Sequence, residues 1–542
     1  MRFFSLAGLL ALPLALTVAQ EDAGGPDEAV PYTLEEVELQ IDEYLDHINA
    51  TDPTSADEDP DVAARSLPSG CSLACGFLNF ARPNDLFYPN DPEYQYLESR
   101  YWSQQQAGVE PECRFTPRSA AHVSLAVLTA RVVKCEFAVK SGGHAAFAGA
   151  SSAQDGLTID LIHLTNIEVS SNKKKTTVGA GNVWYDVYSD LTPQGLTVVG
   201  GRVSAIGVGG LTLGGGLSFV SNRHGWACDN VDAYEVVFAD GSIRKVTKNA
   251  YSDLYWALRG GGNNFGIVTS FDLATYAQGD FWAGVQTFFY TDETSAAIND
   301  AFYHLGLRSS EDPYAQVIMA YAYAQVIDSF VIASDLQYSK PVVNPPILQN
   351  FTSIPGAIAD TMRITDLPGL TVEFNDTNPG GFRQSYWTLT VGNDADLMGE
   401  MVAIYKDEVE GIKDAPGIVP SAVFQLITED MITHMSKNGG NPLGLQSQQG
   451  PLNLLNIAIS WSNAADDARI LAAAQRMVDR SRAAAQARGL DHPFLYQNYA
   501  SQFQDVFASY GSANLARLRQ ISKKYDPTKV WQKLQKGYFK LG

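Results

Sequence analysis

The sequence predicts an α+β protein with two large domains, and three observations lead to this class. The chain has 542 residues, of which 45% are hydrophobic, so it can bury more than one core. From about residue 71 to 275, short β-type runs alternate with glycine clusters and helical pieces. From about residue 278 onward glycine becomes rarer, and longer β-type runs flank helical stretches. We therefore predict two different sheet-and-helix domains, one after the other.

The beginning of the chain predicts a secretion signal over residues 1–19. An apolar stretch at residues 3–18 follows a basic start and ends in small residues suited to signal peptidase. The alternative, a transmembrane anchor, is disfavoured because the stretch is short for a bilayer and contains Pro13. Three Asn-x-Ser/Thr sequons also favour export, since they are glycosylated only in the secretory route; they begin at Asn49, Asn350 and Asn375. We expect a secreted or secretory-lumen glycoprotein.

Residues 20–68 predict an acidic N-terminal arm with a single helix. Within it, apolar residues recur at helical spacing at Leu34, Val37, Ile41, Leu45 and Ile48. Just before this pattern, a Thr and a Glu three residues apart have the spacing of a capping box at Thr33 and Glu36.

The remaining chain divides into three predicted parts. Residues 69–278 form the first domain, with β-type runs at 137–139, 157–159, 196–199 and 236–238. Residues 279–490 form the second, with β-type runs at 283–290 and 454–460 and a long helix at 464–488 that stops at Gly489. Residues 491–542 form a C-terminal segment.

Charge and cysteine content limit the partners and the compartment. A formal net charge of -22 repels phosphate backbones and anionic membranes, so neither nucleic acid nor a membrane is an expected partner. The one basic run, residues 173–175, is predicted to be a solvated hairpin loop without function. Four of the five cysteines could form two disulfides in an oxidising compartment, with three connectivities open: Cys71, Cys75, Cys113 and Cys135.

The fifth cysteine, Cys228, is then an odd thiol and is expected to be a small buried hydrophobe. A zinc site is disfavoured, because Cys71 and Cys75 lack a second Cys/His pair at ligand spacing. No metal is predicted.

Three glycine clusters predict a nucleotide cofactor. They occupy residues 141–144, residues 207–216, and residues 260–266. Clusters of this kind let backbone N–H groups approach a pyrophosphate with no Cβ in the way. Neither the G-x-G-x-x-G fingerprint nor a P-loop is present, so a Rossmann domain is not predicted.

The order of these motifs resembles the PCMH-type FAD-binding domain of the vanillyl-alcohol-oxidase superfamily. The matching stretches are residues 140–144 (KSGGH), 207–216 (GVGGLTLGGG), 229–231 (DNV), 239–241 (ADG) and 254–262 (LYWALRGGG). Near the end of the chain, residues 496–499 (YQNY), 510–514 (YGSAN), 517–518 (RL) and 525–527 (YDP) resemble the C-terminal berberine-bridge motif. The resemblance covers residue 70 to the end of the chain, and the sequence is most similar in character to the secreted fungal members of the family. It implies an antiparallel-sheet substrate domain and a C-terminal segment that returns to the flavin domain.

The resemblance implies that FAD is bound covalently through His144. In this family the histidine of the Ser-Gly-Gly-His element is bonded to the 8α-methyl of the flavin, and here that histidine is His144. The cysteine that gives many relatives a second link is replaced by Val203, so a single link is expected. The cofactor-binding residues carried over are Lys140, Ser141, Gly142, Gly143, His144, Gly149, Val203, Gly207, Gly209, Gly210, Gly214, Gly215, Gly216, Gly266, Ile267 and Asn498.

Two tyrosines are the candidate catalytic bases. In relatives, a tyrosine of the Tyr-x-Asn-Tyr element faces the flavin, and both Tyr496 and Tyr499 qualify here. Because the unperturbed pKa of a tyrosine is near 10, a base tyrosine needs a cation or hydrogen-bond donors on its oxygen. The alternative for each is a packed aromatic in a sheet. Plant relatives commonly carry a tyrosine two positions after the linking histidine, where this chain has Ala146, so their substrate contacts do not transfer.

The function implied is that of an FAD-linked oxidoreductase, and more specifically an oxidase. A base tyrosine would remove a hydroxyl or amine proton, hydride would pass to flavin N5, and molecular oxygen would reoxidise the flavin. Family substrates include sugars, alcohols and secondary metabolites, and the sequence does not choose among these small molecules. The alternatives are a flavin-scaffold isomerase or oxidative cyclase, and a degenerate binding protein.

Overall fold

A computed structural model describes residues 31–51 and 70–542 of the chain. The predicted signal and most of the acidic arm lie outside these residues. The strands form three separate sheets, and helices pack around them, which confirms the α+β class. The helices are α1 (Leu34–Thr51), α2 (Gly70–Ala81), α3 (Pro92–Ser99), α4 (Gln104–Ala107), α5 (Ala120–Val133), α6 (Trp184–Leu191), α7 (Val208–Leu213), α8 (Ser221–His224), α9 (Ser252–Leu258), α10 (Asp292–Arg308), α11 (Gln349–Thr352), α12 (Leu367–Asp376), α13 (Ala395–Val409), α14 (Glu429–His434), α15 (Asp467–Ala487), α16 (Val506–Ser509), α17 (Ser512–Tyr525) and α18 (Val530–Lys533).

The first sheet has four strands in the order β1-β2-β4-β3. Its strands are β1 (Leu86–Phe87), β2 (Cys113–Phe115), β3 (Phe137–Lys140) and β4 (Leu157–Asp160). Strand β4 pairs in parallel with both β2 and β3. Two disulfides join helix α2 to this part of the chain, Cys71 to Cys135 and Cys75 to Cys113. The structure thus selects one of the three connectivities that the sequence left open.

The second sheet is antiparallel and has the order β5-β6-β10-β8-β9, with β7 also pairing with β10. Its strands are β5 (Ile167–Val169), β6 (Lys175–Gly179), β7 (Leu196–Val198), β8 (Val231–Val237), β9 (Ile243–Thr247) and β10 (Ile267–Ala277). Lys173 and Lys174 of the basic run lie in the turn between β5 and β6, as predicted, with Lys173 at a positive φ of 57°. Lys175 departs from the prediction, because it begins β6 and its ammonium group lies 3.0 Å from Asp272 Oδ2.

The third sheet is built by the second half of the chain in the order β14-β11-β13-β12-β17-β18-β16-β19, with β15 pairing with β11. Its strands are β11 (Phe281–Phe289), β12 (Ala315–Ala324), β13 (Ser329–Tyr338), β14 (Ala357–Asp360), β15 (Arg363–Thr365), β16 (Arg383–Gly392), β17 (Val419–Ile427), β18 (Leu452–Trp461) and β19 (Asp491–His492). Because side chains alternate along a strand, one face packs against α10, α13 and α15 through residues such as Met319, Phe302, Met401 and Met477. The opposite face is free to line a cavity.

Two helices predicted from periodicity are present. Helix α1 begins at the predicted capping box, since Thr33 N–H donates to Glu36 Oε2 at 2.7 Å and Glu36 N–H donates to Thr33 Oγ1 at 3.2 Å. Helix α15 ends just before Gly489, which has a φ of +68° and therefore suits a helix stop. Within the described ranges, no helix is long and apolar enough to cross a membrane.

The C-terminal segment returns to the first half of the chain. The Tyr510 hydroxyl donates to the carbonyl of Gly260 at 3.0 Å, and the Arg517 guanidinium lies 3.9 Å from the centre of the Trp256 ring. This return places the Tyr-x-Asn-Tyr element between the glycine clusters and the third sheet.

Candidate active site

A cavity of about 480 Å³ separates the glycine-rich half of the chain from the open face of the third sheet. We call it the central cavity. One wall consists of the turns around residues 141–147 and 202–211, the opposite wall consists of β11, β12, β13, β17 and β18, and the C-terminal segment closes the side. Its volume lies in the range of sites that hold small organic molecules.

Two glycine turns lie side by side on the first wall. A Cβ added to Gly207 would come within 2.3 Å of the Gly142 nitrogen, so the two backbones approach as only glycine allows. The Ser141 hydroxyl ties the turns together by donating to the Ala180 carbonyl at 2.6 Å and accepting from the Gly209 N–H at 3.2 Å. The bare peptide surface that results fits a cofactor with a pyrophosphate.

The structure brings most of the predicted site residues onto the cavity wall and leaves five elsewhere. The residues on the wall are Ser141, Gly142, Gly143, His144, Val203, Gly207, Gly209, Gly210, Gly266, Ile267, Tyr496, Asn498 and Tyr499. The predicted residues away from it are Lys140, Gly149, Gly214, Gly215 and Gly216.

Lys140 has a structural partner instead of a place at the cavity. Its ammonium group lies 2.8 Å from Asp160 Oδ2, and both side chains are buried. Because a buried lysine requires a compensating charge, this pair explains the residue without a cofactor. The sequence motif alone could not reveal Asp160, which lies on the neighbouring parallel strand β4.

Gly214 and Gly215 lie outside the cavity lining and make room for neighbouring side chains. A Cβ on Gly214 would lie 2.0 Å from Asn498 Oδ1, and one on Gly215 would lie 2.9 Å from the Trp226 ring. Gly214 therefore lets the C-terminal segment pack against the glycine-rich turn, and Gly215 leaves room for the Trp226 ring. Gly214 thus helps to position Asn498, and neither glycine faces the cavity.

His144 lies at the end of the first glycine turn with its imidazole against Trp102. The two rings are stacked with centroids 4.3 Å apart and planes 12° apart. The Trp102 N–H donates to the Gly143 carbonyl at 3.2 Å, which holds this arrangement in place. Among the described residues no group hydrogen-bonds to the buried His144 Nε2. Burial lowers the pKa of His144 to about 4, so the imidazole is neutral near pH 7 and keeps a free lone pair.

Tyr499 presents its hydroxyl to two donors on the wall. Arg202 Nη2 donates to the Tyr499 oxygen at 2.6 Å, and Gln425 Nε2 donates to the same oxygen at 3.3 Å. Arg202 also donates to Gln425 Oε1 at 2.6 Å, so the three side chains form one network. A cation and a second donor on one phenol oxygen stabilise negative charge there. The network therefore supplies what a base tyrosine needs.

Tyr496 has a different environment. It is buried, and its oxygen accepts hydrogen bonds at 3.0 Å from the Leu217 N–H and from Asn498 Nδ2. Burial raises the pKa of Tyr496, and the neighbouring Tyr499 raises it further. Of the two predicted base candidates, the geometry thus favours Tyr499, while Tyr496 connects the C-terminal segment to the glycine-rich turn.

The open face of the third sheet forms the opposite wall, which we call the sheet floor. Its cavity-facing side chains are mostly small and aliphatic, and they lie in three cross-strand rows. The rows are Val285–Asp335–Ile318–Gln425, then Ala333–Ala320–Val423–Asn456, then Ala322–Ser421–Ala458–Tyr386. Seven of these twelve side chains are aliphatic, and the polar ones are Asp335, Gln425, Asn456, Ser421 and Tyr386.

Sequence reasoning missed four residues of this site: Trp102, Arg202, Asp335 and Gln425. Arg202 directly precedes Val203, five residues before the second glycine cluster, and that position is the one signal that could have pointed to it. Trp102, Asp335 and Gln425 lie outside every motif. Val203 lines the cavity, while Cys228 is buried away from it and burial raises the pKa of its thiol well above the usual value.

The chain is similar to known FAD-dependent proteins. A family model described as an FAD binding domain matches residues 111–247. FAD-dependent monooxygenase FUP4 of Fusarium proliferatum is 38% identical over 453 residues, which cover 82% of this chain and 87% of that protein.

Two solved structures share the fold. BBE-like 1 of Physcomitrella patens has a TM-score of 0.66 at 20% identity, covering 84% of this chain and 97% of its own. The xylooligosaccharide oxidase of Myceliophthora thermophila C1, solved with xylobiose, has a TM-score of 0.68 at 19% identity, covering 86% of this chain and 100% of its own.

Proposed function

Because the chain belongs to the PCMH-type, berberine-bridge-enzyme-like family of FAD-linked oxidoreductases, we propose that it is an oxidase acting on a small molecule in the central cavity. The observation that carries this proposal is the network of Tyr499, Arg202 and Gln425 on the same cavity as His144. A base and a cofactor-linking histidine on one cavity are the parts that such an oxidation requires.

The residues present fit FAD. The paired turns at Gly142 and Gly207 would hold the pyrophosphate through backbone N–H groups. The neutral imidazole of His144, whose Nε2 has no hydrogen-bond partner among the described residues, would form the covalent bond to the flavin. Val203 cannot form a second bond, and none of the five cysteines, which all lie within residues 70–542, lines the cavity. When bound, FAD would supply the hydride acceptor and, in its reduced form, the group that oxygen reoxidises.

Tyr499 is the base in this proposal. It takes the proton from a substrate hydroxyl or amine while the adjacent carbon gives up hydride. For this step Tyr499 must start as the phenolate, which Arg202 stabilises by its positive charge and hydrogen bond, and it becomes the neutral phenol when it accepts the proton. Gln425 holds the same oxygen by a second hydrogen bond and is itself held by Arg202. Phe374 of helix α12 and the following Thr377 and Asn378 also line the cavity.

An anaerobic experiment tests the proposed oxidation. The purified protein is expected to be yellow, to lose its flavin absorbance when substrate is added without oxygen, and to regain it with release of hydrogen peroxide when oxygen is admitted. A simple aromatic alcohol panel can find a first substrate. Colourless protein would contradict the assignment, and a bleached flavin that oxygen does not restore would indicate a dehydrogenase.

A second candidate follows from the name of the Fusarium relative, a monooxygenase. The product mass separates the possibilities, since oxidation removes two hydrogens, monooxygenation adds an oxygen atom, and isomerisation changes no mass. An oxidative cyclase also removes two hydrogens and is recognised by a new ring in the product.

We also propose that the protein is secreted and glycosylated. Two disulfides and an exposed side chain at Asn350 support this, because disulfides persist in oxidising compartments. The native protein is expected to begin near residue 20 and to lose mass on treatment with an N-glycosidase, with Asn350→Gln losing one glycan. An intact Met1 with no glycan at any sequon would exclude export.

A further inference from the structure

We propose that Asp335 on the sheet floor is a substrate-binding residue, and that it selects a largely apolar substrate carrying a hydroxyl or ammonium group remote from the oxidised carbon. The proposal rests on the proposed function, because it places the reacting end of the substrate at Tyr499. It names the class of molecule that the sequence left open.

The register of the sheet sets the distance between Asp335 and Gln425, which lie at the two ends of the proposed substrate site. Asp335 pairs with Ile318, and Ile318 pairs with Gln425, so the carboxyl and the amide lie two strands apart in one row. Neighbouring strands are about 4.8 Å apart, which puts Asp335 about 10 Å from Gln425. Gln425 holds the Tyr499 hydroxyl. A substrate that reaches both ends must span a similar length.

The surface between the two ends is unsuited to a sugar. Ile318, Ala320, Ala333 and Val423 present aliphatic groups to the cavity. A sugar would lose its hydration against these groups without gaining hydrogen bonds, which costs free energy for each unpaired hydroxyl. An apolar skeleton instead gains from burial there.

Two of the polar groups on the sheet floor accept no hydrogen bond from the described residues. Among the described residues, no group hydrogen-bonds to the Asp335 carboxyl, and Asn456 Oδ1 is buried without a partner. The charged groups that act on Asp335 are Arg202, from the opposite wall, and Glu373, from helix α12. Burial, with repulsion from Glu373, raises the pKa of Asp335 to about 7 against the opposing effect of Arg202. A donor on the ligand would compensate this poorly solvated carboxyl.

A set of four probes tests the proposal with the flavin-loaded protein. The probes are 8-amino-1-octanol, 1,8-octanediol, 1-octanol and xylobiose, and the eight-carbon chain is roughly 10 Å long when extended. Dissociation constants are measured without oxygen from the change in the flavin absorption spectrum, so binding is read independently of turnover. Flavin content is checked for every variant.

The amino alcohol and the diol are expected to bind about 10- to 100-fold more tightly than 1-octanol, and xylobiose most weakly. Asp335→Leu should remove the advantage of both, and Asp335→Asn should remove that of the amine. Binding of the amino alcohol should tighten about tenfold from roughly pH 6 to pH 8, because the carboxylate fraction rises through a pKa of about 7. Asp328→Asn, at an exposed hairpin turn, is the matched control and should change none of these values.

Several outcomes would overturn the proposal. They are equal affinity for 1-octanol and the amino alcohol, tighter binding of xylobiose, and no binding of any eight-carbon probe. If the probes bind as expected but do not reduce the flavin, the role of Asp335 stands and only the proposed oxidation fails.

Discussion

Tyr499→Phe is expected to slow reduction of the bound flavin by about 10² to 10⁴ while leaving the flavin content unchanged. General-base catalysis contributes this range, which corresponds to about 2.7 to 5.5 kcal/mol of transition-state stabilisation. The substitution removes only the oxygen that receives the hydrogen bonds from Arg202 and Gln425. Stopped-flow reduction by a substrate, without oxygen, measures the effect.

Tyr496→Phe is the matched control on the same wall. It leaves the buried Leu217 N–H and one donor of Asn498 without their acceptor, so the free energy of unfolding should fall by about 1 to 3 kcal/mol. The rate of flavin reduction per flavin-loaded molecule should stay close to that of the wild type. If Tyr499→Phe reduces at the wild-type rate, the proton acceptor lies elsewhere.

His144→Ala is expected to abolish covalent flavin, changing the denatured protein from one flavin per chain to none. The imidazole is neutral near pH 7, because burial lowers the pKa of His144 to about 4, and its Nε2 has no partner among the described residues. Acid precipitation followed by the absorbance of pellet and supernatant measures attachment. The folded variant should still bind FAD, since the turns at Gly142 and Gly207 are unchanged.

His163→Ala, at an exposed position outside the cavity, serves as the control and should keep its flavin in the pellet. Release of the flavin from denatured wild-type protein would refute the covalent assignment. Persistence of bound flavin in denatured His144→Ala would show that another residue forms the bond.

The sequence alone predicted the features that depend on local backbone chemistry. Glycine clusters indicated a nucleotide cofactor, because close approach of two turns tolerates no Cβ, as at Gly142 and Gly207. The spacing of apolar residues predicted helices α1 and α15. Both the helical repeat of apolar residues and the residues that begin or end a helix depend only on positions close together in sequence. The order of motifs also predicted the family, which the relatives confirm.

Only the tertiary structure decided which side chains meet. Arg202 and Tyr499 are 297 positions apart in sequence, and Gln425 and Tyr499 are 74 apart, so no local pattern links them. The same holds for the disulfide partners and for Lys140, whose motif suggested a cofactor contact but whose charge is met by Asp160. Asp335 became a candidate binding residue only because the register of the sheet places it in one row with Gln425. Hydrogen bonding and charge compensation act through space, and the fold alone brings these distant positions within their reach.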